Sequence, residues 1–475
     1  MPKYLVETFG CQMNQHDSER MAGLLEQAGY ERTEDDRDAD VIVINTCSVR
    51  EKAEEKLYTR LGEIRVLGDE TGSRPVVAVA GCVAQQEGER LLHKTNGEFI
   101  DVLIGTQSLK MLPMLVEAAQ GDRTIPSTIG PRPSAPAPRA SHVAPRVDLN
   151  PYDDVSFPLG VAKRQDPHRA YVTIIEGCNE FCAFCVVPYT RGKERMRPWR
   201  DIVGDVRFAA DTGAREVQLL GQIVNHYEAP DEPEVDFAEL LARVSDVNGV
   251  ERIRFASPHP RHVTPRMIQA MHDLPKVCRH LHLPVQSGSS RVLQLMRRRH
   301  NREQYLELIA RLREAIPDLA LSTDMIVGFP GETETDFEET LSLTAAARYH
   351  SMFSFKYSER PNTLARKRMP DDVTEEEKTR RIVALQALQK QIQGELFEAA
   401  VGRVESVLVD ATSRRRAWEL SGRTSGNTVV NFPGEPEWVG RIVPVRIIGA
   451  NPNSLRGEPV GQGAGAEGIG PGQRA

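Results

Sequence analysis

The first 120 residues alternate between short apolar runs and amphipathic helical patterns. Four runs rich in β-branched residues predict strands, and DSERMAGLLEQAG predicts a helix that ends at Gly29; the strand runs are YLVET, VIVINT, VVAVAG and DVLIGT. Strands that alternate with helices favour a parallel sheet covered on both faces. The pattern therefore predicts an N-terminal α/β domain over residues 1–120.

A second strand–helix series starts at YVTIIEG. Its later strands are predicted at EVQLLGQ, RIRFAS, LHLPVQ, LSTDMIVGF and MFSFKYS, with helical patterns such as REQYLELIARLREAI between them. Six such units over residues 169–400 predict a partial TIM-like (βα)6 barrel. The preceding residues 121–168 contain PRPSAPAPRASHVAPR, whose Pro, Ala and Ser content predicts an extended linker.

The pattern changes once more after the helical run TEEEKTRRIVALQALQKQIQGELFEAA. Short alternating segments separated by Gly, Asn and Pro turns predict a small all-β barrel over residues 401–462; they are RVESVLVD, WELSGRT, TVVNF and RIVPVRIIGA. Residues 463–475 are of low complexity, and we predict that they are disordered. The pattern as a whole predicts three domains.

The composition of the chain restricts the cellular location and the binding partners that we expect for the protein. The chain lacks an apolar run near the ~18 residues of a membrane span, and its start, MPKYLVETFG, lacks the order of a secretory signal. These features predict a cytoplasmic protein without a membrane partner. The formal net charge of −7 argues against nucleic-acid binding over the whole surface, but it leaves a local basic site open.

Three of the seven cysteines occupy equivalent positions in the first domain. Seven is an odd number, and without an export signal metal binding or catalysis explains cysteines better than disulfides do. Cys11, Cys47 and Cys82 each fall just after one of the first three predicted strands. Because the carboxyl ends of parallel strands share one edge of a sheet, the three thiols should converge there. Any one of them could be a small buried hydrophobe, but the shared position favours a metal site.

The cluster CNEFCAFC places Cys178, Cys182 and Cys185 in a Cx3Cx2C array just after the first barrel strand. Three thiolates on one tight loop can bind three corners of a cubic iron–sulfur cluster. A closed zinc site needs four ligands, and no second Cys or His pair lies nearby, so zinc is the weaker alternative. The iron left open can be chelated by S-adenosylmethionine, whose reductive cleavage yields a 5′-deoxyadenosyl radical. Cys278 matches no ligand pattern and is predicted to be structural.

These motifs resemble those of the radical S-adenosylmethionine methylthiotransferases. The similar blocks extend from Lys3 to about Pro459; they are TFGCQMNQHDSERM, INTCSVREKAEEK, VAGCVAQQEGE, GCNEFCAFCVVPYTRGKERMRP, LHLPVQSGSSRVLQLMRR and DMIVGFPGETETDFEETL. The C-terminal barrel resembles a TRAM domain, an RNA-binding module. GCQMN together with NTCSVR most resembles the branch that methylthiolates carbon 2 of N(6)-dimethylallyladenosine beside the tRNA anticodon.

The alternatives within the family are branches that act on threonylcarbamoyl-adenosine in tRNA or on a ribosomal protein. A non-enzymatic iron–sulfur RNA-binding protein or redox sensor is the alternative from another class. The resemblance implies two [4Fe-4S] clusters, one held by Cys11, Cys47 and Cys82 and the other by the Cx3Cx2C cysteines. It also implies two uses of S-adenosylmethionine, as methyl donor and as radical source. The expected partners are the tRNA anticodon stem-loop and an electron donor such as flavodoxin or ferredoxin, and we expect a monomer.

Further residues are candidates for contacts with the cofactor. In many radical enzymes the residue before the third cysteine packs on the adenine of the cofactor; here it is Phe184, which could equally be a core aromatic. Barrel enzymes place their sites at the carboxyl ends of strands. The polar residues at predicted strand exits are Gln222, Asn225, Ser257 and Gln286, and each could equally be a hydrogen-bonded loop residue. Asp324 either lines the same face or caps a strand.

Two basic segments are candidates for RNA binding. RGKERMRPWR comes after the cysteine loop and is predicted to contact phosphates; its cations are Arg191, Lys193, Arg195, Arg197 and Arg200. The terminal barrel joins charge to a stacking surface on one hairpin, through Arg414, Arg415, Arg416 and Trp418, although a solvated turn is the alternative. The run from Arg297 to His300 ends a helix, where cations also suit the helix dipole, and we interpret it either in that way or as a solvated face.

Overall fold

A computed structural model provides the fold of the chain. It describes residues 1–48, 51–71, 74–94, 99–124, 145–150, 160–413, 416 and 418–461. The predicted disordered tail and most of the predicted linker lie outside these residues. The chain divides into two units, one made of Met1–His262, Leu295–Arg298 and Ser358–Asp371 and the other of Val263–Gln294, Arg299–Tyr357 and Asp372–Ala475.

The first unit begins with a six-stranded sheet in which every pair of neighbouring strands is parallel, in the order β2-β1-β3-β4-β5-β6. Its elements are β1 Lys3–Phe9, α1 Gln12–Gln27, β2 Glu31–Arg32, β3 Val41–Thr46, α2 Glu51–Thr71, β4 Val76–Ala80, α3 Cys82–Glu87, α4 Glu89–Lys94, β5 Val102–Ile104, α5 Leu112–Thr124 and β6 Arg146–Asp148. The four strands predicted for this domain are confirmed. Gly29, with φ of +89°, lies just after α1 as the sequence predicts.

Strand β6 corrects part of the predicted linker. Residues 146–148 pair in parallel with β5, and Ser108 Oγ donates to Asp148 Oδ1 at 2.7 Å. Three residues at a sheet edge are too few to show a period of two, which is why the pattern did not reveal this strand.

Apolar residues fill both faces of this sheet, because successive side chains along a strand point to opposite sides. Val41 and Val43 belong to one core cluster, and Ile42 and Ile44 belong to the other. All of β3 is buried, and its only polar residues, Asn45 and Thr46, lie at its carboxyl end. This places the sheet's chemistry at its edges.

The remainder of the first unit supplies the first three barrel strands, which form a parallel sheet in the order β13-β10-β7. The elements are β7 Arg169–Thr173, β8 Ile175–Glu176, α6 Val187–Thr190, β9 Arg195–Met196, α7 Trp199–Asp211, β10 Glu216–Leu220, β11 Glu228–Ala229, β12 Glu232–Asp236, α8 Phe237–Ser245 and β13 Arg252–Phe255. Helix α8 begins where Asp236 accepts a hydrogen bond from the Glu239 amide.

The second unit carries the other three barrel strands, in the order β14-β15-β16 and all parallel. The elements are α9 Pro265–Asp273, β14 His280–His282, α10 Ser290–Leu295, α11 Arg302–Ala315, β15 Ala320–Val327, α12 Glu334–Ala347, β16 Ser351–Lys356, α13 Leu364–Arg368 and α14 Glu375–Glu398; α13 itself and the last residue of α10 belong to the first unit. Capping boxes start α11 at Asn301 and α12 at Thr333. All six predicted barrel strands are therefore present, three in each unit.

A closed five-stranded barrel ends the described chain, in the order β17-β18-β19-β21-β20. Its strands are β17 Val404–Thr412, β18 Glu419–Thr424, β19 Val429–Pro433, β20 Ile442–Asn451 and β21 Ser454–Pro459. Val407, Phe432 and Val445 lie in its core. The predicted small β-barrel is confirmed, with β21 as a strand that the sequence pattern did not reveal. Across the described residues, none of the helices is long and apolar enough to cross a membrane.

Candidate functional site

Cys11, Cys47 and Cys82 meet at the carboxyl edge of the N-terminal sheet. Phe9 pairs with Thr46 and Asn45 with Ala80, so the ends of β1, β3 and β4 are level. The Cys47 amide donates to Phe9 O at 2.9 Å, and the thiols of Cys11 and Cys47 are hydrogen-bonded to each other. The convergence of these cysteines that the sequence predicts is thus present in the structure.

A pair of buried amides holds the Cys11 and Cys47 loops together. Asn14 Nδ2 donates to Asn45 Oδ1 at 3.0 Å, and Asn45 Nδ2 donates back to Asn14 O at 2.8 Å. The Cys11 thiol in turn donates to Asn14 Oδ1 at 3.3 Å. Neither asparagine was predicted as a site residue, although each lies close to a cysteine in GCQMN and NTC.

Gly81 allows the third loop to approach this amide pair. Its φ is +93°, and a Cβ at this position would lie 2.3 Å from Asn45 Oδ1 and 2.8 Å from Thr46 O. Only glycine combines this backbone conformation with such close packing. The position of Cys82, the next residue, therefore depends on residue 81 being a glycine.

The surroundings of these thiols lower the pKa of Cys11 and raise the pKa of Cys82. The hydrogen bond from Cys47 outweighs burial and lowers the pKa of Cys11 to about 6. Burial raises the pKa of Cys82, and the Arg191 guanidinium, which interacts with that thiol, opposes the rise. The buried Arg191, which lies outside the N-terminal sheet, thus contributes a positive charge next to the Cys82 thiol.

Three buried polar atoms near these cysteines have no hydrogen-bond partner among the described residues: Thr46 Oγ1, Ser48 Oγ and Arg191 Nη1. Buried polar groups are nearly always paired in folded proteins, so unpaired ones around three thiols fit a bound group with acceptor atoms. The sulfurs of an iron–sulfur cluster are such acceptors, and three thiolates are suitable ligands. In the described part of the chain no three His, Cys, Asp or Glu side chains form a site for a single metal ion. A cubic cluster separates its ligands more widely than a single ion does.

The Cys178, Cys182 and Cys185 loop has the features that an iron–sulfur site requires. All three thiols are free. The Glu180 amide donates to Cys178 Sγ at 3.5 Å, and Arg298 Nη1 donates to Cys182 Sγ at 3.6 Å. Burial raises the pKa of both Cys178 and Cys185 to about 12, and the nearby Cys182 thiol adds to the rise. Such thiols become thiolates when a metal binds, so this loop fits a cluster.

Histidines on the following loops hold the cysteine loop in place. Glu180 accepts from His262 Nε2 at 2.9 Å, and Glu194 is bonded to His226 Nδ1 at 3.0 Å. The two imidazoles lie 4.2 Å apart between ring centroids. The hydrogen bond from Glu194 raises the pKa of His226 despite partial burial. This histidine pair was not predicted, since no spacing rule links residues that are 36 positions apart.

The candidate cofactor contacts of the first unit have different environments. Phe184 is half-buried in the cysteine loop, and Gln222 has a buried Oε1 without a partner in the described chain. Ser257 has a φ of +62°, a conformation that is strained for a non-glycine residue and that often occurs at functional sites. Asn225 instead binds the backbone of His259 through both ends of its amide, at 3.0 and 2.8 Å. This arrangement favours the alternative that Asn225 is a hydrogen-bonded loop residue, and its contact with the cofactor stays a prediction.

In the second unit, one face of the β14-β15-β16 sheet carries several candidate residues. Leu321, Thr323, Met325 and Val327 are buried on the other face. On the half-open face His282 Nε2 lies 3.3 Å from Asp324 Oδ1, and Asp324 pairs with Phe353, which is 53% exposed. Gln286, at 8% exposure and φ of +80°, lies beyond the end of β14.

Parallel sheets are normally covered on both faces, so the half-open face fits a ligand with one aromatic and several polar contacts. The sequence analysis named Gln286 and Asp324 but missed His282 and Phe353. The alternation of polar and apolar residues in HLHL and FSFK is the signal that could have found them.

The structure corrects the prediction that Arg191 contacts RNA. Its side chain is 4% exposed, and Nη2 donates to Asp17 Oδ2 at 2.6 Å, so it cannot reach a phosphate. Arg197 donates to Asp205 and to Thr173 O, each at 2.8 Å. Lys193 is exposed and Arg195 half-buried.

Two other basic residues also have acidic or sulfur partners. Arg200 is paired with Asp231 at 3.1 Å. Arg298 is 6% exposed and bonded to Cys182, which corrects the interpretation of the run from Arg297 to His300 as helix-dipole cations. Cys278 is buried, as expected for a structural cysteine.

The aromatic residue predicted for the terminal barrel is available to a ligand. Trp418 is 59% exposed, and the Arg416 guanidinium lies 5.5 Å from its ring centroid. Arg416 also lies 3.7 Å from Glu419. Arg414 and Arg415 lie outside the described residues. The described part of this hairpin thus offers a stacking surface with an adjacent cation.

Comparison with known proteins identifies the family. A curated tRNA-2-methylthio-N(6)-dimethylallyladenosine synthase from Geobacter metallireducens is 45% identical over 454 residues, which cover 95% of this chain and 97% of that protein. The chain belongs to the tRNA-2-methylthio-N(6)-dimethylallyladenosine synthase family. Synthases of the same name from Syntrophotalea carbinolica and Geotalea uraniireducens are 41% and 45% identical, and they cover 97% and 95% of this chain and 100% and 98% of their own lengths.

Models of three families match successive parts of this synthase-family chain. Uncharacterized protein family UPF0004 matches residues 3–105, the Radical SAM superfamily matches residues 172–344, and the TRAM domain matches residues 398–460. Among solved structures, the radical S-adenosylmethionine methyltransferase TsrM from Kitasatospora setae has a TM-score of 0.53 at 14% identity, covering 86% of this chain and 78% of that chain. At this identity the likeness concerns the fold, and it confirms the predicted fold class.

Proposed function

We propose that this chain methylthiolates carbon 2 of N(6)-dimethylallyladenosine next to the tRNA anticodon. The observation that carries the proposal is the presence of two separate three-cysteine sites in a member of this synthase family. Carbon 2 of an adenine carries a C–H bond that is too weakly acidic for general-base chemistry. Sulfur insertion there therefore requires a radical, which the Radical SAM region of the chain can supply.

Six cysteines are the proposed cluster ligands. Cys178, Cys182 and Cys185 would hold the cluster that binds S-adenosylmethionine, and Cys11, Cys47 and Cys82 would hold a second, sulfur-carrying cluster. When bound, these groups supply the electron that cleaves S-adenosylmethionine and an iron to which sulfur attaches. The chain's own part is to place the ligands and to exclude water, and Cys47 and Cys82 are accordingly 1% and 6% exposed.

Other side chains would bind the organic groups. The half-open face with His282, Asp324 and Phe353 offers hydrogen bonds and an aromatic surface for S-adenosylmethionine. Gln286, which pairs with Met325 beyond the end of β14, is a further candidate for the same cofactor. Phe184, Gln222 and Ser257 remain candidates for the same cofactor. At the terminal barrel, Trp418 would stack on an unpaired base, as single-stranded loops are commonly bound. Exposed Lys193 and half-buried Arg195 would contact phosphates.

The remaining features of the proposal concern partners and location. An electron donor such as flavodoxin or ferredoxin would reduce the protein, which would work as a monomer in the cytoplasm. Action on threonylcarbamoyl-adenosine or on a ribosomal protein is not favoured, because the full-length relatives carry the dimethylallyladenosine name. A purely RNA-binding role would leave both cysteine sites without a use.

Mass spectrometry of digested tRNA tests this function. In cells that lack the gene, we expect loss of the methylthiolated dimethylallyl nucleoside and accumulation of its unthiolated precursor. The wild-type gene and a Cys278→Ala variant should restore the product, whereas Cys47→Ala should not. Cys278 is a suitable control because it is equally buried but belongs to neither cysteine site. An unchanged nucleoside profile in the deletion strain would reject the proposed substrate.

A further inference from the structure

The two terminal nitrogens of Arg191 differ in their hydrogen bonding to the described residues. Nη2 donates to Asp17 Oδ2 at 2.6 Å. Nη1 is buried and has no hydrogen-bond partner among the described residues. A buried donor that carries part of a positive charge is costly to leave unpaired, more so than a neutral one. The position of Nη1 is therefore suited to an acceptor that binds there.

The surrounding chain fixes this guanidinium firmly. The backbone on either side is anchored, since Thr106 Oγ1 donates to Thr190 O at 2.6 Å and Gln107 Nε2 donates to Arg191 O. Asp17 lies 3.8 Å from Arg20, which is paired with Glu176 at 3.0 Å. Held at both its backbone and its tip, the guanidinium presents Nη1 in a defined place.

The neighbours of the guanidinium indicate the kind of acceptor. It interacts with the Cys82 thiol and lies near that of Cys11. Cys47 and Cys82 are buried, so a ligand held at the three cysteines is largely screened from water. A positive N–H donor prefers an anion, and soft sulfur is the ligand that iron bound by thiolates accepts.

We propose that Arg191 is a positioning residue that donates a hydrogen bond from Nη1 to anionic sulfur, a hydrosulfide or a thiolate, bound at the Cys11, Cys47 and Cys82 site. The inference rests on the proposed function, which assigns the sulfur carrier to this site. The guanidinium stabilises the deprotonated sulfur and fixes its direction. It loses its charge-matched partner once that sulfur has become a neutral thioether in the product.

The same residue also connects the two cysteine sites through the backbone. Gly192 O, one residue after Arg191, accepts a hydrogen bond from the Cys178 amide at 3.2 Å. A movement of the Cys178 loop is therefore transmitted to Arg191, the proposed hydrogen-bond donor to sulfur, through a single peptide unit. Arg191 is thus placed to keep the sulfur in register with the site where S-adenosylmethionine is cleaved.

The test uses the full chain with Cys178, Cys182 and Cys185 changed to Ala, reconstituted with iron and sulfide without air. Sodium hydrosulfide and methanethiolate are titrated in, and binding is followed by the electron paramagnetic resonance of the reduced cluster. Arg191→Met should weaken both ligands by about tenfold to a hundredfold, the effect of losing a charged hydrogen bond. Arg191→Lys, which keeps the charge but not the planar fork, should have an intermediate effect.

Arg254→Met is the matched control. Arg254 is a buried arginine paired with Glu216 at 2.8 Å, and its loss should leave sulfur affinity unchanged. Equal affinities in the Arg191→Met and Arg254→Met proteins would overturn the inference. A background protein that holds no iron at all would instead contradict the proposed second cluster, so the two failures are distinguishable.

A second measurement does not depend on how well the Met variant folds. In protein labelled with 15N at the arginine guanidinium, pulsed resonance of the hydrosulfide-bound cluster should show a nitrogen coupling. The coupling should disappear in Arg191→Lys and persist in Arg254→Met. Absence of the coupling from protein with the native Arg191 would also overturn the inference.

Discussion

Replacing Asn45 by Ala should loosen the cysteine edge of the N-terminal sheet by about 3 kcal/mol. The side chain of Asn45 takes part in three hydrogen bonds, to Asn14 O at 2.8 Å, to Ser18 Oγ at 3.0 Å and from Asn14 Nδ2 at 3.0 Å. Asn45 and Asn14 are fully buried, so the partners cannot turn to water. At about 1 kcal/mol for each hydrogen bond, the sum is about 3 kcal/mol.

Hydrogen exchange measures this loss locally, which matters because a multidomain chain has no single free energy of unfolding. Since ~1.4 kcal/mol is a factor of ten, amides of β3 should exchange about a hundredfold faster in the metal-free variant. Asn431→Ala is the control, because Asn431 makes one side-chain bond, at 3.2 Å to Ser454, and should change exchange in β19 less than about tenfold. Acceleration in β3 no greater than in that control would refute the importance of the amide pair.

Three further results are expected. Cys182→Ala should abolish reductive cleavage of S-adenosylmethionine, whereas Cys47→Ala should retain part of it and lose sulfur insertion; equal loss of both activities would contradict separate roles. Trp418→Ala should weaken binding of the anticodon stem-loop by roughly 5- to 150-fold in a fluorescence titration, from ~1–3 kcal/mol for one stacked base, without changing cofactor cleavage. Gly288→Ala should lower the melting temperature by several degrees, because its Cβ would lie 2.3 Å from a backbone atom of α12. Gly394→Ala should not lower the melting temperature, because a Cβ at this position would have no neighbouring atom within 4 Å.

Local pattern was sufficient to predict the longer buried strands and the convergence of the first three cysteines. Strands such as β3 and β4 are wholly buried, and the carboxyl ends of parallel strands all lie at one edge of the sheet. Cys11, Cys47 and Cys82 therefore had to meet at that edge, because each comes directly after such a strand. The Cx3Cx2C spacing likewise restricts Cys178 and its neighbours to one loop.

The sequence pattern could not predict hydrogen bonds between buried residues that are far apart in the chain. Arg191 lies in a stretch rich in cations, and its partner Asp17 is 174 positions away, so nothing local distinguishes it from Lys193. Arg298 is a similar case, with its Cys182 contact 116 positions distant. Such buried pairs depend on which elements the fold brings together, and charge patterning along the chain contains no information about that.

The burial of helix α1 has a consequence for how the protein is made. Asp17, Glu19 and Arg20 of α1 are buried and bonded to residues between Lys163 and Arg191. During synthesis at ~5–20 residues per second, these charges remain without their partners until the later segment leaves the ribosome. The N-terminal sheet can form early, but its cysteine edge reaches its final form only then. If this edge holds the proposed second cluster, we expect iron to load there only after residues 163–191 have folded onto α1.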